Sequence, residues 1–154
     1  MLLLLALDML YSCQSNQKQN QDLSLGFEFE KDTLLQFIKN NDTLTPVFEI
    51  ELAQSDYEKE TGLMHRKTMK PNQGMLFVYT TEKSRPTFYM KNTYIPLDLI
   101  YLNSKKEIVD FNLNTTPLSE DWISSNIPST YVLEVNAGTV ETLNLKLGDF
   151  IVLN

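Results

Sequence analysis

The sequence predicts an α+β domain dominated by β structure, either a small twisted β-barrel or a sheet folded over on itself, with one or two short helices. Three observations lead there. Apolar residues fall in short alternating or continuous runs separated by Asn, Asp, Gly, Pro and Ser, the pattern of strands and turns. Few stretches carry a helix signal, and the one with a clear start is short. The 154 residues, 42% of them apolar with eight Phe and seven Tyr, suffice for one packed core and are too few for two of ordinary size.

In chain order, Leu23, Leu25, Phe27 and Phe29 alternate with polar residues and Gly26, the pattern of an additional edge strand. Thr33–Ile38 and Thr45–Leu52 read as a hairpin across Asn40-Asn41-Asp42, residues that tolerate turn conformations. In its second strand Phe48, Ile50 and Leu52 point one way, with Glu49 and Glu51 pointing the other. Ser55-Asp56-Tyr57-Glu58 is a capping box, which starts a helix over 56–63. Strands are expected at Gly74–Tyr79, Phe88–Met90, Leu97–Asn103, Glu107–Leu113, Tyr131–Asn136 and Phe150–Leu153, with a turn at Asn103–Lys106 and a second short helix at Thr139–Asn144. Residues 114–129 contain Pro117, Pro128 and several Ser and Thr. They read as a long surface loop that packs back through Trp122.

Thirteen basic and 20 acidic residues give a net charge of −7, so the basic footprint of a nucleic-acid binder is missing. One His and one Cys exclude a Cys/His zinc site and an intrachain disulfide. The Cys stands in an informative place. The start, Met-Leu-Leu-Leu-Leu-Ala-Leu, runs to Leu10-Tyr11-Ser12-Cys13, and residues 14–22 are then all polar. The apolar run is too short to span a bilayer as a helix and suits an export signal. It resembles a bacterial lipoprotein signal, with Leu three positions before Cys and a small residue just before it, although no Lys or Arg precedes the run and Asp8 lies inside it. The alternative is a buried N-terminal strand, or a random apolar start, with an unpaired thiol. The expected organisation is a signal peptide at 1–12, a polar tether at 13–32 and a single domain at 33–154. Lipidation at Cys13 would hold it to a membrane, facing the periplasm or another extracytoplasmic space of the cell envelope.

Several blocks of the domain belong together: Glu51-Leu52-Ala53, Thr61-Gly62-Leu63-Met64-His65-Arg66, Gly74-Met75-Leu76-Phe77-Val78, Phe88-Tyr89-Met90-Lys91-Asn92-Thr93, Ile95-Pro96-Leu97-Asp98, Val132-Leu133-Glu134-Val135-Asn136-Ala137-Gly138 and Leu147-Gly148-Asp149. In this order, over Thr45 to Leu153, they resemble the family known as domain of unknown function 192, also called uncharacterised protein family 0127. The resemblance implies a compact β-rich fold and frequent export or envelope association, and no established activity. Tyr89 stands where the family usually has Trp, and His65 where it usually has another aromatic. The single His is therefore not expected to belong to a shared mechanism.

Two carboxylates stand out chemically. Asp98 shares a strand face with Ile100 and Leu102, Glu134 shares one with Val132, and both faces of both strands are apolar. A carboxylate so placed needs a partner, because an unpaired buried ion costs several kcal/mol. Arg66, Arg85 and Lys91 are the nearest cations by block, and Arg66 with Asp98 or Glu134 is the preferred pair. One reading makes these charges register-fixing elements of the core. A second gathers Arg66, Tyr89, Lys91, Asn92, Thr93, Asp98 and Glu134 around a pocket for a small polar ligand, with Phe88 and Tyr89 as an aromatic wall. It expects at least three of Arg66, Asn92, Asp98 and Glu134 to share one cavity. The ligand reading, or docking of an envelope protein, is preferred; the alternative is a hydrolase using Asp98 and Glu134 as a carboxylate pair. Met64, His65, Met69, Met75 and Met90 form a soft donor set compatible with Cu(I), but Met beside Leu and Phe more often fills a core. No metal site and no cofactor are expected.

Overall fold

The structure is a computed structural model that describes residues 28–154, with Arg85, Pro86 and Thr87 described by their backbone alone. The signal-like segment, Cys13, most of the polar tether and the Leu23–Phe27 part of the alternating run lie outside the described residues. Residues 28–32 carry no strand, yet they dock onto the sheet. The Glu30 N–H donates to Glu51 Oε1 at 2.8 Å and the Leu52 N–H donates to Asp32 Oδ2 at 2.7 Å.

The elements are β1 (Thr33–Lys39), β2 (Asp42–Thr43), β3 (Phe48–Ala53), α1 (Asp56–Thr61), β4 (Gln73–Phe88), β5 (Leu97–Leu102), β6 (Ile108–Asn112), β7 (Ile123–Asn136), α2 (Thr139–Thr142) and β8 (Phe150–Leu153). The strands form one curled half-barrel sheet in the order β2-β1-β3-β4-β7-β5-β6, with β8 paired to β1. At the far edge the curl nearly closes: Glu107, just before β6, bridges Phe150 of β8, and the Ile108 N–H donates to the Asp149 carbonyl at 2.7 Å. Among the described residues only β3 and β4 run parallel. Parallel neighbours cannot be joined by a tight hairpin, so the chain between them crosses one face of the sheet, and α1 lies on that crossover.

Alternating side chains give two apolar clusters, one on each face. The first takes residues from nearly every strand, among them Leu35, Phe37, Phe48, Ile50, Leu76, Ile100, Leu133 and Ile151, together with Val140 of α2. A cluster fed from all round the curl fills its concave side. The second holds Ala53, Met75, Phe77, Leu97, Leu99, Tyr101 and Val132 on the opposite face, covered by Leu63, Phe88, Met90 and Ile95 from the connecting segments. Gly74 brings β4 against β7: a Cβ at this position would sit 2.5 Å from the Glu134 carbonyl oxygen.

Three expectations need correction. The segment 114–129 is a loop only in its first part, because Ile123–Ser129 continues β7, and β4 runs unbroken through the gap left between Tyr79 and Phe88. These outer halves pair through repeated register shifts, from Lys83 opposite Ser129 to Phe88 opposite Ile123. Such bulges leave unpaired positions where Pro128 is tolerated, and they erase the alternation that marks a strand. Trp122 does not anchor the loop in the core. It is 70% exposed, and its ring meets that of Tyr89, edge to face, with centroids 6.2 Å apart.

Candidate functional site: a buried carboxyl beneath the crossover

The crossover builds the site. Ser55 caps α1, with its hydroxyl accepting from the Glu58 N–H and the Glu58 carboxylate accepting from the Ser55 and Gln54 N–H groups. These bonds, chiefly the backbone ones, hold the Glu58 carboxyl below its ordinary range. Gly62 ends the helix at φ +48. A side chain there would be strained and its Cβ would press Phe77 Cζ at 3.2 Å, so the glycine lets the chain turn down onto the sheet. Leu63 then buries itself in the second cluster. His65 follows at φ 65 and Asn92 has φ 57. The His65 N–H donates to the Asn92 carbonyl at 2.7 Å. Two of the sequence blocks, 61–66 and 88–93, are thereby tied together over the same face of the sheet.

Between them lies a cavity of about 210 Å3, with Phe77, Tyr79, Phe88, Tyr89, Thr93 and Glu134 in its wall and Lys59 and Glu60 of α1 at its helix side. Phe77 and Phe88 meet edge to face at 5.2 Å. Lys59 Nζ stands 5.1 Å from the centre of the Tyr79 ring and donates to the Gln54 carbonyl at 2.6 Å. Glu134 sits near the end of β7, between Met75 of β4 and Leu99 of β5. Its residue is 7% exposed. No hydrogen bond or ion pair is seen at its carboxyl among the described residues, and burial pushes its pKa up to about 8. At neutral pH it is therefore mostly a neutral acid, with one O–H to donate.

The other sequence-picked residues are dispersed. Arg66 pairs with neither Asp98 nor Glu134. Its guanidinium grips Glu51, Nη1 to Oε2 at 2.5 Å and Nη2 to Oε1 at 2.9 Å, beside a second hollow that also touches Glu30, Asp32 and Tyr57. Asp98 is 1% exposed and needs no cation: Oδ1 accepts from the Asn114 N–H and Oδ2 from the Val140 N–H, both at 3.0 Å. It fastens the start of α2 and the loop after β6 to β5. The register sets Asp98 opposite Val135 and Leu99 opposite Glu134, so Asp98 faces the concave cluster and Glu134 the crossover side. The expected carboxylate pair does not form. Lys91 reaches outward to Glu120 at 3.6 Å with both side chains largely exposed, and Asn92 serves through its backbone. Of the four residues expected to share a cavity, Glu134 alone lines this one, joined by Tyr89, Thr93 and Phe88.

Met75 and Met90 are buried in the second cluster, Met69 packs against it, and Met64 lines the cavity. Among the described residues no three of His, Cys, Asp and Glu gather as a metal site. Sequence reasoning missed Glu51, Phe77, Tyr79 and Lys59. The alternation of β3 had already turned Glu51 away from Ile50; what it lacked was that the crossover covers that second face too.

Residues 36–153 match DUF192, the family described as uncharacterized ACR. The chain belongs to this family. It is similar to the UPF0127 protein PF1050 of Pyrococcus furiosus, 29% identical over 107 residues that make up 66% of this chain and 83% of that one. Solved structures share the fold. A protein from Sinorhizobium meliloti 1021 described as a proposed transcription regulator has a TM-score of 0.73 at 38% identity, covering 82% of this chain and 97% of its own. A protein of unknown function from Novosphingobium aromaticivorans DSM 12444 has a TM-score of 0.71 at 30% identity, covering 77% and 83%. The blocks of this DUF192 chain prove to be largely fold devices. Thr61 to Arg66 and Lys91 to Thr93 tie the crossover down, Asp98 holds α2, and in Leu147-Gly148-Asp149 the Asp149 carboxylate accepts from the Lys146 N–H at 2.8 Å.

Proposed function

We propose that this DUF192 domain is a binding module that takes a small polar ligand into the cavity beneath α1, with Glu134 as the group that recognises it. One observation carries the reading: a carboxyl in the apolar last part of β7, more than nine-tenths buried, opens onto a cavity where Phe77, Tyr79, Phe88 and Tyr89 stand beside polar residues of α1 and Thr93. Any apolar side chain would fill that position without the desolvation cost of an acid. A buried, perturbed titratable group that opens onto a cavity with aromatic rings in its wall is the arrangement that small-molecule sites favour. Hydrolysis by a carboxylate pair finds no support, because Asp98 lies on the other side of the sheet and both of its oxygens are engaged. The net charge of −7 likewise gives no reason to carry the Sinorhizobium protein's description over to this chain.

The reading includes an address. Leu10-Tyr11-Ser12-Cys13 and the polar run after it favour a lipid-anchored domain of the cell envelope, held to the membrane through Cys13. Mass spectrometry of the membrane fraction tests this, and an unmodified Cys13 thiol refutes it. For the cavity, a library of neutral, anionic and cationic small molecules is screened by NMR while the amides of Gly62 and Thr93 are followed. Saturable shifts at both amides are expected from at least one class. If every class leaves them unmoved, the binding reading fails.

A further inference from the structure

We infer that the ligand of this cavity is a small organic cation, an alkylammonium or quaternary ammonium group held between aromatic faces with the Glu134 carboxylate as counter-ion. The inference rests on the binding reading above and names its ligand class. Phe77, Tyr79, Phe88 and Tyr89 bring four rings to one small cavity, and ring faces attract cations that are poorly solvated by anything else nearby. The protein already holds one ammonium in this way, for Lys59 Nζ rests over Tyr79 at the cavity's edge. Among the described residues, Arg66 is engaged with Glu51 and Lys91 with Glu120. Glu134 is thus the buried acid in the wall, with no partner seen for it among the described residues, and an entering cation completes it.

Binding of a permanent cation requires Glu134 to ionise, so its proton passes to the buffer. The groups facing it are Lys59 and Glu60 from α1, Tyr79 from β4, Tyr101 from β5 and Tyr89 from the segment after β4, with the Glu51–Arg66 pair beyond Met75 on the β3 side. Because burial holds the Glu134 pKa near 8, affinity should rise with pH. A neutral ligand hydrogen-bonded to the acid form would show the reverse.

The test titrates tetramethylammonium chloride into the purified full chain by calorimetry at pH 6 to 9, at fixed ionic strength and in buffers of different ionisation enthalpy. Binding about tenfold tighter at pH 9 than at pH 7 is expected, with release of about one proton at pH 7. Glu134→Gln should weaken binding at pH 9 at least about tenfold and remove the pH dependence, since it deletes the counter-ion. Lys59→Met keeps the alkyl stem, removes the competing ammonium and should tighten binding. Affinity that falls with pH, or binding unchanged in Glu134→Gln, overturns the inference. Silence from tetramethylammonium while neutral or anionic molecules move Gly62 and Thr93 overturns the cation class and leaves the cavity reading standing. Silence from all of them overturns both.

Discussion

Replacing Glu134 by Gln keeps the shape of the side chain and removes its proton equilibrium, so the pH dependence of stability isolates the cost of burying this acid. Its pKa is pushed from the ordinary 4.5 to about 8 in the folded protein. Between those values the native state keeps a proton that the unfolded chain has lost. The resulting stability is complete below about pH 4.5, declines as pH rises, and is fully lost once the folded carboxyl ionises above pH 8. At roughly 1.36 kcal/mol per pKa unit the whole range amounts to about 5 kcal/mol, and the span from pH 6 to pH 9 to about 3 kcal/mol. The residue's 7% exposure leaves little solvent to screen it. Urea unfolding of wild type and Glu134→Gln, followed by far-UV circular dichroism in amine-free buffer, reads the difference. Other titrating groups contribute to both proteins and cancel. The wild-type midpoint should drop relative to the variant by about 1 M or more over that span. Midpoints that move in parallel from pH 6 to pH 9 would refute the claim that Glu134 is buried without compensation.

The same geometry fixes other outcomes. Asp98→Ala strips acceptors from the Asn114 and Val140 N–H groups and should cost about 2–4 kcal/mol in denaturant unfolding; a loss under 1 kcal/mol would show that neither bond matters. Arg66→Met leaves Glu51 buried without its partner and should cost about 3–5 kcal/mol, whereas Glu51→Leu with Arg66→Met should recover most of that. A double variant as unstable as the single one would mean that packing, and not charge, is at stake. Gly74→Ala drives a methyl into the Glu134 carbonyl and should cost about 3 kcal/mol or more, or abolish soluble expression; a variant that unfolds like wild type removes the close approach of β4 and β7 as a constraint.

Much of the architecture was legible because it depends on short-range chemistry. The capping box of Ser55 and Glu58, the turn at Asn103–Lys106 and the alternating or fully apolar runs of β1, β3, β5 and β8 each bear a local signature. The outer halves of β4 and β7 carry none. Their pairing runs through bulges, so apolar and polar residues fall out of phase with the two-residue period, and Pro128 looks like a breaker although it sits in an unpaired stretch. Contacts between distant segments stabilise that arm, and no window of a dozen residues contains them.

The site was half legible for a related reason. Asp98 and Glu134 look alike in sequence: each is a lone acid in an otherwise apolar strand, and alternation correctly tells which neighbours share its face. Alternation is silent on how one strand's faces line up with the next strand's. That is set by register, and a shift of one residue between β5 and β7 would have put the two carboxylates side by side. In the register adopted, Asp98 stands opposite Val135 and Glu134 opposite Leu99, which separates two acids of identical sequence context into different chemistries. Asp98 meets backbone N–H donors from a loop and a helix start, so its charge is spent on holding the fold. Glu134 meets rings and a cavity, and its proton stays available. The difference between a structural acid and a recognition group here is a matter of which way one strand was laid against another.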